Sequence, residues 1–266
     1  FNEKIVSSNK IDLIFKIKEF EKQYLSKVNV FGNNITEEKV IRDNLEVDEG
    51  DPFNKILLSK SINNLKSLNI FGKVEYELIS KENNTKILNI TIEEKPTGEI
   101  SAAAGTGTSG STFGFGIKEN NFLGKNISLD TNLRFDEETI KGKFSVVNPN
   151  WNFSDRSLIA SIESSVTDKM TDFGYETSLT GFTYGSNWEQ YEDLYFSPKI
   201  SVFHEKLDTN QNASDKLKKQ EGSYFDTDFS YGLFLDKRDR RYQTTDGFLS
   251  KFNQRVPILS EDYGTA

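Results

Sequence analysis

The side chains of this chain that could do chemistry are a set of acids, one histidine and four closely spaced glycines. Asp226, Asp228 and Asp236 recur at even spacing and so share one face of an alternating segment. Carboxylates on one face can exchange protons or hold a cation, but they are equally ordinary where a strand faces water. His204 is the only histidine and there is no cysteine, which leaves no His/Cys metal set and no disulfide framework. Gly105, Gly107, Gly114 and Gly116 are followed by no helix, so they do not form a phosphate loop; they thin a sheet. Glu49 and Asp51 lie close to Arg42 in sequence, as in an ion pair at a helix end. None of these sets builds an active site, and the expectation is a non-enzyme without metal or cofactor.

A different chemistry is carried by Lys95-Pro96-Thr97-Gly98-Glu99-Ile100-Ser101-Ala102-Ala103-Ala104-Gly105-Thr106-Gly107. Its spacing suits a strand, but its side chains have little to pack, so backbone hydrogen bonds must hold it, and Gly and Ala weaken a strand interior. The stretch divides the chain. Before it the pattern is that of a small α+β unit; after it the period is two.

In the first part, Ile11 to Lys18 alternate as a strand. Val28-Asn29-Val30-Phe31 is a second, followed by the turn signal Gly32-Asn33-Asn34. Thr36 is placed to cap a short helix carrying Val40, Ile41 and Leu45. A longer helix begins at Asp51-Pro52-Phe53-Asn54, with Leu58, Ile62, Leu65 and Leu68 on one stripe, and ends at Phe71-Gly72. Two strands joined by Lys81 to Thr85 complete the order β-α-α-β-β.

From Ile100 onward nine alternating strands are predicted, near 99–107, 112–119, 127–135, 140–147, 157–166, 173–184, 193–206, 223–237 and 248–257. The clearest segment puts Ile127, Leu129, Thr131, Leu133 and Phe135 on one face, and Ser128, Asp130, Asn132 and Arg134 on the other. Alternation fits a soluble sandwich or a membrane barrel. Short aromatic-bearing turns at 120–124 and 148–151, against the long polar link 208–222, favour the barrel. With mean hydropathy −0.59, no window reaches the length of a transmembrane helix, and barrel strands need none. Net charge −8 with interspersed signs argues against a nucleic-acid partner. The opening Phe1 lies inside folded sequence, and the chain is expected to be an excised piece of something longer.

The β-α-α-β-β unit opened by Val28 to Asn33 resembles a POTRA domain. Together with the alternating strands beyond it, the unit resembles the POTRA-bearing outer-membrane β-barrel assembly proteins. The landmarks are Asn121-Phe122-Leu123-Gly124, Val147-Asn148-Pro149, and Asp239-Arg240-Arg241-Tyr242-Gln243-Thr244-Thr245-Asp246-Gly247, the last with Thr244 where the family has Pro. The resemblance implies that 1–20 ends a preceding POTRA domain, 21–95 is the last POTRA domain, and 96–266 is the N-terminal part of an outer-membrane barrel. About nine of sixteen antiparallel transmembrane strands would then be present.

By the same resemblance, Ile100, Ser101, Ala102, Ala103, Ala104, Gly105, Thr106 and Gly107 form a lateral gate that pairs with a substrate strand; the plain alternative is that Ala102 to Ala104 pack beneath something bulky in the lumen. Arg42 and Glu49 match a docking surface for a lipoprotein such as BamD. Implied partners are the outer-membrane bilayer, accessory lipoproteins, unfolded outer-membrane proteins and periplasmic chaperones, with the POTRA region in the periplasm. Of three functions the resemblance favours an insertase that folds and inserts outer-membrane β-barrel proteins; a POTRA-bearing secretion or translocation-assembly transporter and a soluble all-β binding module are the alternatives.

Overall fold

The computed structural model describes residues 2–7, 10–14, 21–107, 110–238 and 244–260. A hairpin comes first, β1 (Asn2–Ser7) and β2 (Lys10–Ile14); the predicted continuation to Lys18 lies outside the described residues. Then follow β3 (Tyr24–Phe31), α1 (Glu38–Arg42), α2 (Lys55–Ser67), β4 (Phe71–Ser80) and β5 (Thr85–Glu94). The rest is β6 (Gly98–Gly107), β7 (Gly110–Phe122), β8 (Ile127–Phe135), β9 (Thr139–Asn148), β10 (Ser157–Lys169), β11 (Tyr175–Tyr191), β12 (Leu194–Thr209), α3 (Asp215–Lys219), β13 (Gly222–Asp236) and β14 (Leu249–Ser260). The chain divides into two compact units: residues 1–33 with 44–93, and residues 34–43 with 94–266.

In the first unit β5 is the central strand, parallel to β3 and beside β4. The Asn54 side chain caps α2 by accepting from the Ile56 and Leu57 N–H groups. The stripe Leu58, Ile62 and Leu65 is buried with Leu25, Val28, Leu88 and Ile90, which makes this the hydrophobic core. Leu68 is only half-buried, and α2 stops at Ser67 because Asn69 adopts φ 57. Phe71 therefore opens β4 instead of closing the helix, a correction to the sequence reading.

The second unit holds all nine predicted strands in one antiparallel sheet, in order from β14 to β6, with β6 and β14 at its edges. Register separates its faces row by row. Ile100, Ile117, Thr131, Phe144, Ile162, Phe182, Val202 and Thr227 stand opposite one another in successive strands. The adjacent row is Ser101, Gly116, Asn132, Lys143, Glu163, Gly181, Phe203 and Asp226. A Cβ on Gly116 would sit 2.6 Å from Ser101 Oγ and 3.0 Å from Asn132 Oδ1, so this row has no room for a side chain there.

The apolar band crosses these rows obliquely. The row of Phe113, Phe135, Ile140 and Val166 continues as Ser178, Lys206 and Ser223. Nearer the Gly98 end, the later strands bring together Trp188, Phe196, Leu233 and Phe252. Strands tilted through an apolar slab need this drift. The apolar face is not covered: Phe115, Phe144, Ile162, Phe182 and Ile200 are exposed, and among described strand residues of the sheet only Leu207 is a buried hydrophobic.

The expected contrast of short turns at one end and long loops at the other holds only in part. At the Gly98 end, 123–126 and 192–193 are tight, but 149–156 and 237–248 are longer than 136–138 at the far end. The longer connection 149–156 forms a turn of 3-10 helix (Trp151–Phe153), and its Asn150 Nδ2 donates to Asp43 Oδ2 at 3.3 Å.

Replacing Leu88 with Ala, which is 0% exposed on the central strand, is expected to cost the first unit about 2–5 kcal/mol. Lost hydrogen-exchange protection across β3 and β5, with the sheet from β6 to β14 unaffected, is the measurement.

Candidate functional site

Every residue of β6 is exposed, and among the described residues its hydrogen-bonded neighbour is β7 alone. The ladder runs without irregularity from Gly98 opposite Glu119 to Gly107 opposite Gly110. An antiparallel edge strand turns about half of its N–H and C=O groups away from its only partner. Ile100, Ala102, Ala104 and Thr106 lie on the apolar face; Ser101, Ala103, Gly105 and Gly107 lie on the other. That second face borders a trough of about 920 Å³ whose far wall carries Asn132, Arg134, Lys141, Lys143 and Glu163. Ala102 to Ala104 are exposed among the described residues. The chemistry on offer is a row of backbone donors and acceptors with almost no side chain in the way.

The entry to β6 is held by a polar network that sequence reasoning missed. The Glu94 carboxylate accepts from the N–H groups of Asn34 (2.9 Å), Ile35 (2.9 Å) and Thr36 (2.6 Å). Asn121 Nδ2 donates to Thr36 Oγ1 at 2.9 Å, and Asn121 Oδ1 accepts from the Asn126 N–H at 2.8 Å. Thr36 and Asn121 are 2% and 7% exposed, so the contact is shielded from water. The Glu37 N–H donates to the Gly124 carbonyl at 2.9 Å. Gly124 has φ +70, and a Cβ there would fall 2.1 Å from the Ile35 carbonyl oxygen; only glycine fits.

Thr36 is thus not a helix cap. The cap position is Glu37, without a side-chain bond, and the Thr36 hydroxyl is committed to Asn121 and Glu94. Asn121 and Gly124 were visible as a motif, but the pairing of residues 34–36 with 94 and 121 is too distant in sequence to be read.

Burial alone would raise the Glu94 pKa; the backbone N–H groups and hydroxyl of Thr36, with the N–H groups of Ile35 and Asn34, outweigh it and hold the carboxyl below the usual glutamate range.

Arg42 Nε donates to Glu38 Oε1 at 2.7 Å, and Glu49 Oε1 accepts from the Val28 N–H at 3.0 Å. The Asp51 carboxylate accepts from the Asp48 N–H at 3.0 Å. The three strand acids do not converge: Asp228 pairs with Arg255 and Asp236 with Arg238. His204, on the apolar face, meets Ser223 Oγ at 2.6 Å and the Phe225 ring at 4.6 Å. No group of three metal-ligating residues occurs among the described residues. Of the motif 239–247, positions 239–243 lie outside the described residues.

The model of the Omp85 superfamily domain matches residues 121–263, more than half of the chain. The chain belongs to the Omp85 superfamily. A POTRA model, described as a surface antigen variable number repeat, matches residues 23–95 of this Omp85 chain. It is 23% identical over 260 residues to the outer membrane protein assembly factor BamA of Neorickettsia risticii, covering 96% of this chain and 35% of the relative. The BamA of Nitratidesulfovibrio vulgaris is 23% identical over 258 residues, covering 95% and 32%. The chain thus spans about a third of the length of the curated relatives it matches. In fold it is similar to the crystal structure of BamA from Haemophilus ducreyi lacking POTRA domains 1–3, with TM-score 0.73, 20% identity, and coverage of 97% of this chain and 52% of that one. CdiB from Escherichia coli aligns at TM-score 0.57 with 12% identity, covering 92% and 47%. The architecture is a POTRA domain followed by part of an Omp85 barrel, an open sheet of nine antiparallel strands.

Because the folded Glu94 pKa lies below its unfolded value, its contribution is fully present above the unfolded value and is lost as pH falls through the folded one. The amide resonances of Ile35 and Thr36 are expected to titrate with a midpoint below that of a free glutamate, and not to titrate in Glu94→Gln. Gly124→Ala is expected to displace residues 34–37, read as lost exchange protection of the Glu37 amide.

Proposed function

We propose that this chain is part of an outer-membrane protein assembly factor, an insertase that presents β6 as a template for incoming strands. The observation that carries the reading is the pairing of two features: a nine-stranded sheet whose apolar face no described residue covers, and a first strand of small residues with almost no side chain to pack. A soluble sandwich would bury such a face under a second sheet. Lipid can cover it instead, but in hydrocarbon each unpaired backbone group costs several kcal/mol. A substrate strand crossing the bilayer meets that cost before its own barrel has closed. An edge from Ile100 to Gly107 supplies the missing partners by strand addition. Its small side chains let a substrate strand approach whatever its own sequence.

In this reading the protein lies in the cell outer membrane, with the POTRA region in the periplasm. Its partners are the bilayer, unfolded outer-membrane proteins, the periplasmic chaperones that deliver them and accessory lipoproteins. It has no catalytic residue and needs no cofactor. Arg42 and Glu49 contribute to docking of a lipoprotein such as BamD; exposed charges of this kind set orientation and encounter rate more than affinity. The second reading is a POTRA-bearing secretion or translocation-assembly transporter, which would thread chains through the lumen beside the trough.

Ala103→Pro or Gly105→Pro is expected to impair insertion of several unrelated barrel proteins, measured as their folded, heat-modifiable fraction in outer membranes. Unaltered insertion rules out the template. Loss of one exported protein alone, with general insertion intact, selects the transporter. Glu49→Lys is expected to weaken lipoprotein capture in a pull-down from the full-length protein. Glu49→Gln, which keeps the acceptor for the Val28 N–H, isolates the charge from the fold.

A further inference from the structure

At the Gly98 end of the sheet, the connections 123–126, 149–156 and 237–248 and the last residue of β11 each expose a large apolar side chain: Leu123 (68%), Trp151 (53%), Phe248 (57%) and Tyr191 (70%). Among the described far-end connections Phe173 is the counterpart, while 136–138 is Asp-Glu-Glu and 210–221 turns Ala213 inward. Leu123 also adopts φ 57, a strained conformation for leucine that its exposed side chain does not offset by internal packing. The turn begins where the apolar face ends: the preceding Phe122 stands opposite Ile127, on that face, at the end of the β7–β8 ladder.

The segment clamped on this turn adds a fifth apolar group. Ile35 is 71% exposed although its carbonyl lies against Gly124, its N–H is held by Glu94 and the next residue is buried. The network therefore holds Ile35 exposed, with its backbone against the turn that carries Leu123.

We infer that residues 34–37 are a membrane-surface foot, in which Ile35 and Leu123 enter the boundary between headgroups and acyl chains of the leaflet at the Gly98 end. The occupant of this surface is phospholipid, because the patch is continuous with the face that lipid covers and lies in the ring of apolar side chains that marks the bilayer interface in barrels. The inference rests on the membrane reading proposed above.

The test uses full-length protein in vesicles of phosphatidylcholine and phosphatidylglycerol. Nitroxides are attached to single cysteines in Ile35→Cys, Leu123→Cys, Phe144→Cys in the apolar band, and Glu82→Cys in the exposed β4–β5 turn. Collision with oxygen, which partitions into lipid, is compared with collision with a water-soluble nickel complex. The expected result is an oxygen preference at 35 and 123 several-fold above that at 82 and approaching that at 144. Adding Asn121→Ala is expected to shift position 35 toward the value at 82. A water-like value at 35 beside a lipid-like value at 144 overturns the foot and leaves the barrel standing. A label at 35 shielded from both reagents means a protein contact and overturns it too. A water-like value at 144 removes the membrane reading and this inference together.

Discussion

The requirement that every backbone N–H and C=O find a partner away from water governs this molecule. Eight ladders satisfy it across the nine strands, and the strands at either margin satisfy it on one side. At β6 that incompleteness coincides with the sparsest side chains of the sheet. Ala and Gly bury little and lock few rotamers, so the strand is held by its ladder to β7 and by little else.

The two units meet the hydrophobic effect in opposite ways. In the first, Leu58, Ile62 and Leu65 of α2 go into a core with Leu88 and Ile90, as in a water-soluble fold. In the second, residues just as apolar, such as Phe144, Ile162 and Phe182, remain outside. What distinguishes these positions is register: the long ladders place every second residue on one face, and the band they form drifts across the rows. The opposite rows carry ions, among them Lys143 with Glu163 at 3.7 Å.

Placement of the edge strand depends on a small polar knot instead of on apolar packing. Glu94 gathers three consecutive amides, Asn121 bridges Thr36 to Asn126, and Gly124 admits the Ile35 carbonyl. Such buried polar groups are costly unless all are satisfied, and when satisfied they specify one geometry. Here they fix the start of β6 and the turn after β7 to the same segment, so the edge begins from a defined position.

Period and composition determined much by themselves. The strict alternation of Ile127 to Phe135 gave a strand with the right faces, the stripe Leu58, Ile62 and Leu65 gave α2 and its buried side, and the small residues from Gly98 to Gly107 marked a poorly packed strand, because all three are local patterns that backbone geometry reads directly. Element ends were less legible: φ 57 at Asn69 stops α2 before Phe71, and Thr36 left its capping role for partners 58 and 85 residues away. Only the tertiary structure decided that Glu94 and Asn121 converge on Thr36, and that no described residue covers the apolar face. Each of those facts depends on which distant segments become neighbours, and no local period contains that information.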